Sequence, residues 1–394
     1  MILKVKPGRL QSTIALPGSK SYANRILILA ALKETPFLIN HLPDSDDVTF
    51  LVKALGVVGL SIVRTENTLT IQNSFPQCET EGKTIEVGEG GTTARFLASL
   101  LLRGSKSYCL VLGDKLKTRP WEEFIHLVEQ HGGKAKLNDN KLTVQGPLTL
   151  PDRVEVDCSR TTQFASGLQL AFSLSGKVIV PSKLNTSQSY WKMTEELVHL
   201  ARKQNSYDVP LDWSSASYPL AFGALTQNIT FPGLSFDPFQ ADAKFMEILK
   251  AFEAIEIGPH GLMVKPCQKN ASIHVDVSDC LDLVPALAFL LAHRKGEHKL
   301  KGVANLIHKE SDRLLEVTRL LSRFKRKTSV SDNVLTIHGS EEILTEAIEL
   351  DLPDDHRMVM TGVLFLLKHA GGSVSPAQAV NKSYPGFFNI LNPS

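Results

Sequence analysis

The 394-residue chain carries 43 Lys and Arg against 41 Asp and Glu, a formal net charge of +2, which excludes a nucleic-acid partner held by bulk charge and leaves any anion to local clusters. Its five widely spaced cysteines contain no C-x-x-C pair, which argues against a disulfide framework or a zinc site and fits a reducing cytoplasm. With 43% hydrophobic residues but no signal-peptide core and no apolar run of membrane-spanning length, the composition predicts a soluble intracellular protein of about two or three domains.

In chain order, six segments repeat one grammar: an apolar or alternating strand, a short polar turn rich in Ser, Thr, Asp or Gly, then a helix of Ala and Leu. Strand 14–16 leads into Pro17-Gly18-Ser19-Lys20 and helix 25–32, strand 85–87 into turn 88–93 and helix 94–102, and strand 154–156 into turn 157–163. Strand 209–211 leads into turn 212–217, strand 275–277 into turn 278–282 and helix 281–293, and strand 350–352 into turn 353–357 and helix 358–369. Starts about 55 to 75 residues apart leave room for one β-α unit with extra strands and a second helix. Helices that are apolar nearly all round belong inside a domain, whereas the alternation of strands 141–145 and 333–338 suits sheets with one wet face. The predicted fold class is α/β with helices in the core. Each polar turn falls at a helix N-terminus, where free N–H groups and the helix dipole favour an anion. Two sets of three units around pseudo-threefold axes would bring six such ends to one cleft.

Taken singly, the motifs leave alternatives open. Gly18-Ser19-Lys20-Ser21 reads as an anion-facing turn or as an ordinary N-cap with a solvated lysine, and the absent first Gly rules out a Walker P-loop. G-E-G-G-T-T at 88–93 is a glycine-rich turn of a kind common in loops, and K-L-K-T-R-P at 115–120 is a basic loop. In Asp355-His356-Arg357 the aspartate can cap the following helix while Arg357 faces whatever lies across its end. Lys309-Glu310-Ser311-Asp312-Arg313 opens an amphipathic stretch, either as a binding site or as a surface ladder of ion pairs.

Together these strings carry a resemblance. L-P-G-S-K-S-x-x-N-R at 16–25, D-S-D-D-V at 44–48, G-T-T-A-R at 91–95, R-P at 119–120 and T-T-Q at 161–163 occur in order. They are followed by S-S-A-S-Y at 214–218, N-x-x-x-K-E-S-D-R at 305–313, D-H-R-M at 355–358 and K-S-Y-P at 382–385. From about Val5 to Phe388 the chain resembles the 3-phosphoshikimate 1-carboxyvinyltransferases, or 5-enolpyruvylshikimate-3-phosphate synthases. The resemblance implies a two-domain fold, each domain three β-α-β-α-β-β units with helices inside, an inside-out α/β barrel. It implies a first domain of 16–212, a second of 1–15 plus 213–394, and an active site in the interdomain cleft. The implied reaction transfers the enolpyruvyl group of phosphoenolpyruvate to the 5-hydroxyl of shikimate 3-phosphate.

Site residues follow from the same resemblance. Ser21, Arg25, Thr161, Thr162, Gln163, Ser187, Asn305 and Lys309 match positions that hold shikimate 3-phosphate. Lys20, Gly91, Arg119, Arg313, Arg357 and Lys382 match the phosphoenolpyruvate site, with Lys20 also counted as catalytic. Asp282 matches the acceptor of the 5-hydroxyl proton and Glu310 the acid that protonates the enol methylene. No metal or other cofactor is implied, and the expected partners are the two substrates alone, without nucleic acid or membrane, for a cytoplasmic monomer. Glyphosate, a phosphonate, is expected in the phosphoenolpyruvate site, which Gly91 keeps open.

Three departures qualify this pattern. Glu89 stands where many relatives have Asn, so a carboxylate faces the anion, and weakens glyphosate inhibition, unless it points away or pairs with a base such as Lys20. Thr161 and Thr162 replace the usual Ser, and Lys244 replaces an Arg in Q-A-D-A-K-F at 240–245. A sister transferase acting on a UDP-amino sugar uses a cysteine in the loop corresponding to 115–119, where this chain has K-L-K-T-R. A non-catalytic anion sensor on the same scaffold would be favoured by loss of Asp282, Glu310 or Lys382, all of which are present.

Overall fold

Helices with almost no polar side lie at the centre of each of two units. The computed structural model describes residues 1–393 apart from 67, 81, 185, 186 and 260. One unit is Gly18–Pro210, and the other combines Met1–Pro17 with Leu211–Ser394.

In Gly18–Pro210 the helices are α1 (Lys20–Ala30), α2 (Asp46–Val57), α3 (Gly91–Leu101), α4 (Glu122–Gln130), α5 (Gln163–Phe172) and α6 (Gln188–Lys203). Helices α1, α3 and α5 bury nearly every residue beyond their first turn and pack on one another. Their runs R-I-L-I-L-A and F-L-A-S-L-L have no face to give to water, and each buried Leu, Ile or Phe contributes about 1.5–3 kcal/mol. By contrast α2, α4 and α6 bury one stripe each, such as Val48, Leu51 and Leu55 on α2.

Three sheets accompany these helices. One has the order Ser206–Asp208, Phe37–Asn40, Thr68–Ile71, Ile62–Arg64, and another the order Thr84–Gly88, Ser107–Leu112, Lys141–Gln145, Lys134–Asn138. In both, the first pair is parallel and the other two are antiparallel, with Ile39 opposite Leu69 and Leu110 opposite Leu142. The third is the parallel pair Arg153–Asp157 and Val178–Ser182.

The second unit repeats the plan with α7 (Trp213–Thr226), α8 (Phe245–Ala251), α9 (Val284–Ala292), α10 (Arg313–Arg323) and α11 (His356–Lys368). Here α7, α9 and α11 are the interior helices. His274–Asp276, Gly296–Lys301, Val334–Gly339 and Lys327–Ser331 form a sheet with the same sequence of directions. Leu3–Val5 joins the pair Ile348–Asp351 and Gly372–Ser375, so the first residues complete a sheet made by the last.

Two expected strands are corrected. Segments 14–16 and 209–211 are not strands: Thr13 makes a single bridge to Thr230 just before the first, and in the second Val209 donates one bond to the Asn40 carbonyl before Pro210, which has no N–H to continue the ladder, so that Leu211 is a lone bridge residue. The strands lie in separate sheets of two to four rather than in one closed barrel. Helices α1, α3 and α11 begin a few residues before the apolar runs that predicted them, because their first turns are built from the polar motif residues. Expected helix 281–293 starts as a 3-10 turn, Leu281–Leu283.

Candidate active site

In Gly18–Pro210 the motif residues gather at the starts of the interior helices. Lys20 opens α1 and its Nζ lies 2.7 Å from Asp47 Oδ2 in the first turn of α2. The Asp47 carbonyl accepts from Thr93 Oγ1 at 2.8 Å, and Asn24 Nδ2 donates to Thr92 Oγ1 at 2.7 Å, which ties α1 and α2 to the start of α3. Gly91 is the first residue of α3, where a Cβ would lie 3.0 Å from Gln163 Oε1 and 3.1 Å from Arg119 Nη1. A bare backbone there lets an amide, a guanidinium and a helix N-terminus share one spot. Thr161 Oγ1 accepts from the Gln163 amide at 3.2 Å, Thr162 is buried, and Ser187 caps α6 in the left-handed conformation with φ of 59°. Ser21 gives its carbonyl to Arg25 Nη1 at 2.9 Å.

Three motif arginines in this unit, Arg25, Arg95 and Arg119, have no carboxylate within ion-pair distance among the described residues. Arg25 donates to Thr194 Oγ1 at 2.9 Å and to the Ser21 and Tyr190 carbonyls, with the rings of Phe96 and Tyr190 5.2 and 5.7 Å away. Arg95 donates to Gln163 Oε1 at 2.6 Å and to the Pro120 carbonyl at 3.2 Å, with the rings of Trp121 and Phe164 5.3 and 4.7 Å away. Arg119 has a buried Nη2 with no hydrogen-bond partner. Burial pulls Arg25 down to about 10, and burial with Arg119 nearby pulls Arg95 down to about 9. Arginine stays protonated at physiological pH, so the depression expresses a cationic site that lacks its anion.

Glu89 does not lie open toward that site. Its Oε1 accepts from the Lys115 amide at 3.3 Å and its Oε2 from the Leu116 amide at 3.0 Å, with the carboxylate lying against Gly113. Backbone N–H groups at the start of the 115–119 turn thus compensate its charge, as an N-cap carboxylate is compensated.

The other unit balances Lys309, Arg313, Arg357 and Lys382 with carboxylates. Arg313, at the start of α10 and 1% exposed, donates from Nε to Asp355 Oδ2 at 2.8 Å and from Nη1 to Asp282 Oδ1 at 2.7 Å. Arg357, in the first turn of α11, reaches Asp282 Oδ2 at 3.1 Å and Ser214 Oγ, at the start of α7, at 2.5 Å. Lys309 Nζ lies 3.3 Å from Asp282 Oδ1, so it belongs to this cluster and not to a surface ladder. Asp355 caps α11 by accepting from the Arg357 amide at 3.0 Å and also accepts from Ser311 Oγ at 3.0 Å. Glu310 meets Lys382 Nζ at 3.1 Å, His356 Nδ1 at 3.0 Å and, more distantly, Arg313 Nη2 at 3.9 Å. Asn305 is half-buried in the 3-10 turn Ala304–His308 just before Lys309.

These pairings fix protonation. Burial pushes the Asp282 carboxyl up, but Arg357, Lys309 and Arg313 together hold it well below the usual carboxylate range. Burial likewise opposes ionisation of Glu310, and Lys382 and His356 outweigh it. Burial pulls His356 down despite Glu310. Asp242, 2% exposed with neither carboxylate oxygen hydrogen-bonded, is pushed up to about 7 by burial, Arg357 opposing. Glu310, Asp355 and His356 bring ligand atoms within 4.8 Å of one another, a spacing that could hold a cation. The carboxylates are already engaged by Lys382 and Arg313, which makes the set a poor one for a metal.

Sequence reasoning missed Asp47, Arg95, Ser214, Asp242 and the charge-balancing part of Asp355. The signal for most was present, since Asp47 lies in D-S-D-D-V, Arg95 in G-T-T-A-R and Ser214 in S-S-A-S-Y. What was missing was any indication of which distant charge each would meet.

The family model of EPSP synthase (3-phosphoshikimate 1-carboxyvinyltransferase) matches residues 4–201 and 197–391. A 3-phosphoshikimate 1-carboxyvinyltransferase of Thermococcus kodakarensis is 30% identical over 399 residues, covering 95% of each chain. That of Clostridium novyi is 28% identical over 420 residues, covering 98% of this chain and 95% of the relative. Among solved structures, EPSP synthase of Acinetobacter baumannii superimposes with a TM-score of 0.78 at 19% identity, covering 99% of this chain and 97% of that one. The enolpyruvyl transferase NikO of Streptomyces tendae gives 0.76 at 15% identity, with 99% and 96% covered. At those identities the structural likeness speaks for the fold alone.

Proposed function

This chain belongs to the EPSP synthase family, and from that membership we infer the part each site residue plays. The protein is a 3-phosphoshikimate 1-carboxyvinyltransferase: it transfers the enolpyruvyl group of phosphoenolpyruvate to the 5-hydroxyl of shikimate 3-phosphate and releases phosphate, in the shikimate pathway toward aromatic amino acids.

Arg25, Ser21, Thr161, Thr162, Gln163, Ser187, Asn305 and Lys309 bind shikimate 3-phosphate. Arg25 supplies a buried cation with no carboxylate within ion-pair distance among the described residues, and the hydroxyls supply neutral hydrogen bonds. Lys20, Gly91, Arg119, Arg313, Arg357 and Lys382 bind phosphoenolpyruvate, whose carboxylate and phosphate suit several guanidinium and ammonium groups. Asp282 is the base. The observation that carries this role is its ionised carboxylate, held by Arg313, Arg357 and Lys309 at the start of an interior helix.

Glu310 is the acid. In the unliganded protein it is ionised, with Lys382 and His356 as its neighbours. Phosphoenolpyruvate competes for Lys382 and adds negative charge nearby, both of which raise the affinity of Glu310 for a proton. Protonated Glu310 then delivers to C3 while the 5-hydroxyl, losing its proton to Asp282, attacks C2. Return of the C3 proton restores the double bond as phosphate leaves.

The reading takes 16–212 and 1–15 plus 213–394 as the two domains, and the protein as a cytoplasmic monomer acting without cofactor, nucleic acid or membrane. No helix among the described residues is long and apolar enough to cross a membrane. Phosphate release from phosphoenolpyruvate and shikimate 3-phosphate, with each omitted in turn, tests the reaction. Release without shikimate 3-phosphate would count against it.

A further inference from the structure

Arg119 stands on a segment that is held at both ends by side chains outside the assigned site. Residues 113–119 fold as a turn in which the Lys117 amide donates to the Gly113 carbonyl at 3.0 Å and the Arg119 amide to the Leu116 carbonyl at 3.2 Å. Such a turn leaves its first N–H groups without internal partners. Glu89 accepts two of them, from Lys115 and Leu116. A Cβ on Gly113 would lie 2.3 Å from Glu89 Cδ, so residue 113 has to be bare for the carboxylate to sit there. At the other end Arg95 Nη2 donates to the Pro120 carbonyl at 3.2 Å, while its Nη1 takes Gln163 Oε1 at 2.6 Å. Between these anchors Trp121 Nε1 donates to the Leu116 carbonyl at 3.2 Å. The Arg119 side chain leaves this frame 3.1 Å from the Cβ position of Gly91, with Nη2 buried and unpartnered.

We propose that Glu89 and Arg95 are positioning residues for the enolpyruvyl-transfer reaction, clamping the start and the end of segment 113–120 so that Arg119 is presented to phosphoenolpyruvate in a fixed place. The proposal rests on the assignment of Arg119 to phosphoenolpyruvate. It turns the apparent liability of an acid next to an anion site into an anchor. A pre-set guanidinium loses less freedom when the ligand arrives, and that advantage is specific to the ligand Arg119 holds.

The two views of Glu89 differ in sign. If Glu89 acts on phosphoenolpyruvate only as a nearby negative charge, Glu89→Gln removes repulsion and lowers its KM. As an anchor, the same isosteric change replaces a charge-assisted acceptor and frees the turn, raising KM for phosphoenolpyruvate by about 10-fold while KM for shikimate 3-phosphate stays within about twofold. In an Arg119→Ala background Glu89→Gln then has less than about twofold further effect, because what it positions is gone. Arg95→Lys keeps the charge but not the fork and raises the same KM by about threefold or more. Should that variant melt early, Glu89→Gln decides alone.

An unchanged or lower KM for phosphoenolpyruvate in Glu89→Gln overturns the proposal, as does a full additive effect in the Arg119→Ala background. If Arg119→Ala itself leaves that KM unchanged, the assignment of Arg119 fails and takes the clamp with it. That outcome differs from one in which Arg119→Ala is impaired and Glu89→Gln is not.

Discussion

The two units solve opposite electrostatic problems at the same place in the same architecture. In Gly18–Pro210, Arg25 and Arg95 meet carbonyls, a hydroxyl, an amide and aromatic rings, and Arg119 buries an Nη2 with no hydrogen-bond partner. In the other unit, Arg313, Arg357, Lys309 and Lys382 are matched by Asp282, Asp355 and Glu310. The first arrangement leaves cationic charge for a ligand to neutralise. The second keeps two carboxylates ionised among cations, where the arrival or loss of one neighbour changes their hold on a proton. One scaffold therefore carries three motif arginines without carboxylate partners among the described residues in one half, beside the Lys20–Asp47 pair, and an ion-paired cluster in the other.

The sharpest way to break the comparison is to delete one cation from each side. Arg313→Met strips Asp355 of its ion-pair partner and leaves Asp282 to Arg357 and Lys309 alone, and is expected to destabilise the protein by about 3–5 kcal/mol, the usual cost of breaking a buried pair. Arg25→Met removes a charge that has no acid to leave behind, so its stability cost is expected to stay under about 1 kcal/mol, while shikimate 3-phosphate binding falls about 100-fold. Thermal denaturation and calorimetric titration measure the two quantities. Equal destabilisation by both variants would erase the distinction.

Acid should expose a second asymmetry. His293 and His369, at the C-terminal ends of α9 and α11, meet at 2.9 Å. His293 Nδ1 faces the Phe289 carbonyl at 2.7 Å, and His369 Nδ1 accepts from the Leu344 amide at 2.9 Å. Both rings are thus neutral in one tautomer arrangement, His369 donating to His293. Burial pulls His369 down to about 4, helped by Arg326 and Lys368, and His293 falls well below its ordinary value, chiefly by burial. The unfolded chain binds protons that the folded one refuses, so this stability is present above pH 6.5 and is lost as pH falls toward 4. Hydrogen exchange across this range should show α9 and α11 opening before α1 and α3.

Catalysis divides along the same line. Glu310→Gln and Asp282→Asn are each expected to lower kcat by about 100-fold or more, as for general acid and base groups. Turnover within a few-fold of wild type would remove the residue from its role. Smaller still is Gly91→Ala, whose methyl presses on Gln163 Oε1 and Arg119 Nη1, the ends of flexible side chains. It should raise KM for phosphoenolpyruvate several-fold and leave the melting temperature nearly unchanged. Glu89→Asn is expected not to tighten glyphosate inhibition but to weaken it, because the carboxylate is spent on backbone amides that hold the Arg119 turn; inhibitor titration that showed tighter binding would contradict this.

What the sequence determined by itself was local. Runs such as R-I-L-I-L-A and V-L-F-L-L have no polar face and had to become interior helices, and the polar turns before them had to fall at helix N-termini. The expected strand 141–145 matches Lys141–Gln145, because alternation is read from neighbours. It failed at 14–16 and 209–211, where an apolar residue flanked by proline looked like a strand but no partner edge continued alongside. Only the tertiary structure decided the charge pairing. Arg313 meets Asp282 and Asp355 across 31 and 42 residues, and Glu89 meets amides 26 and 27 residues away. A side chain's propensity says where it prefers to stand on a helix, whereas its charge is settled by whichever opposite group folding brings within about 4 Å, and that distance is set by the packing of elements far apart in the chain.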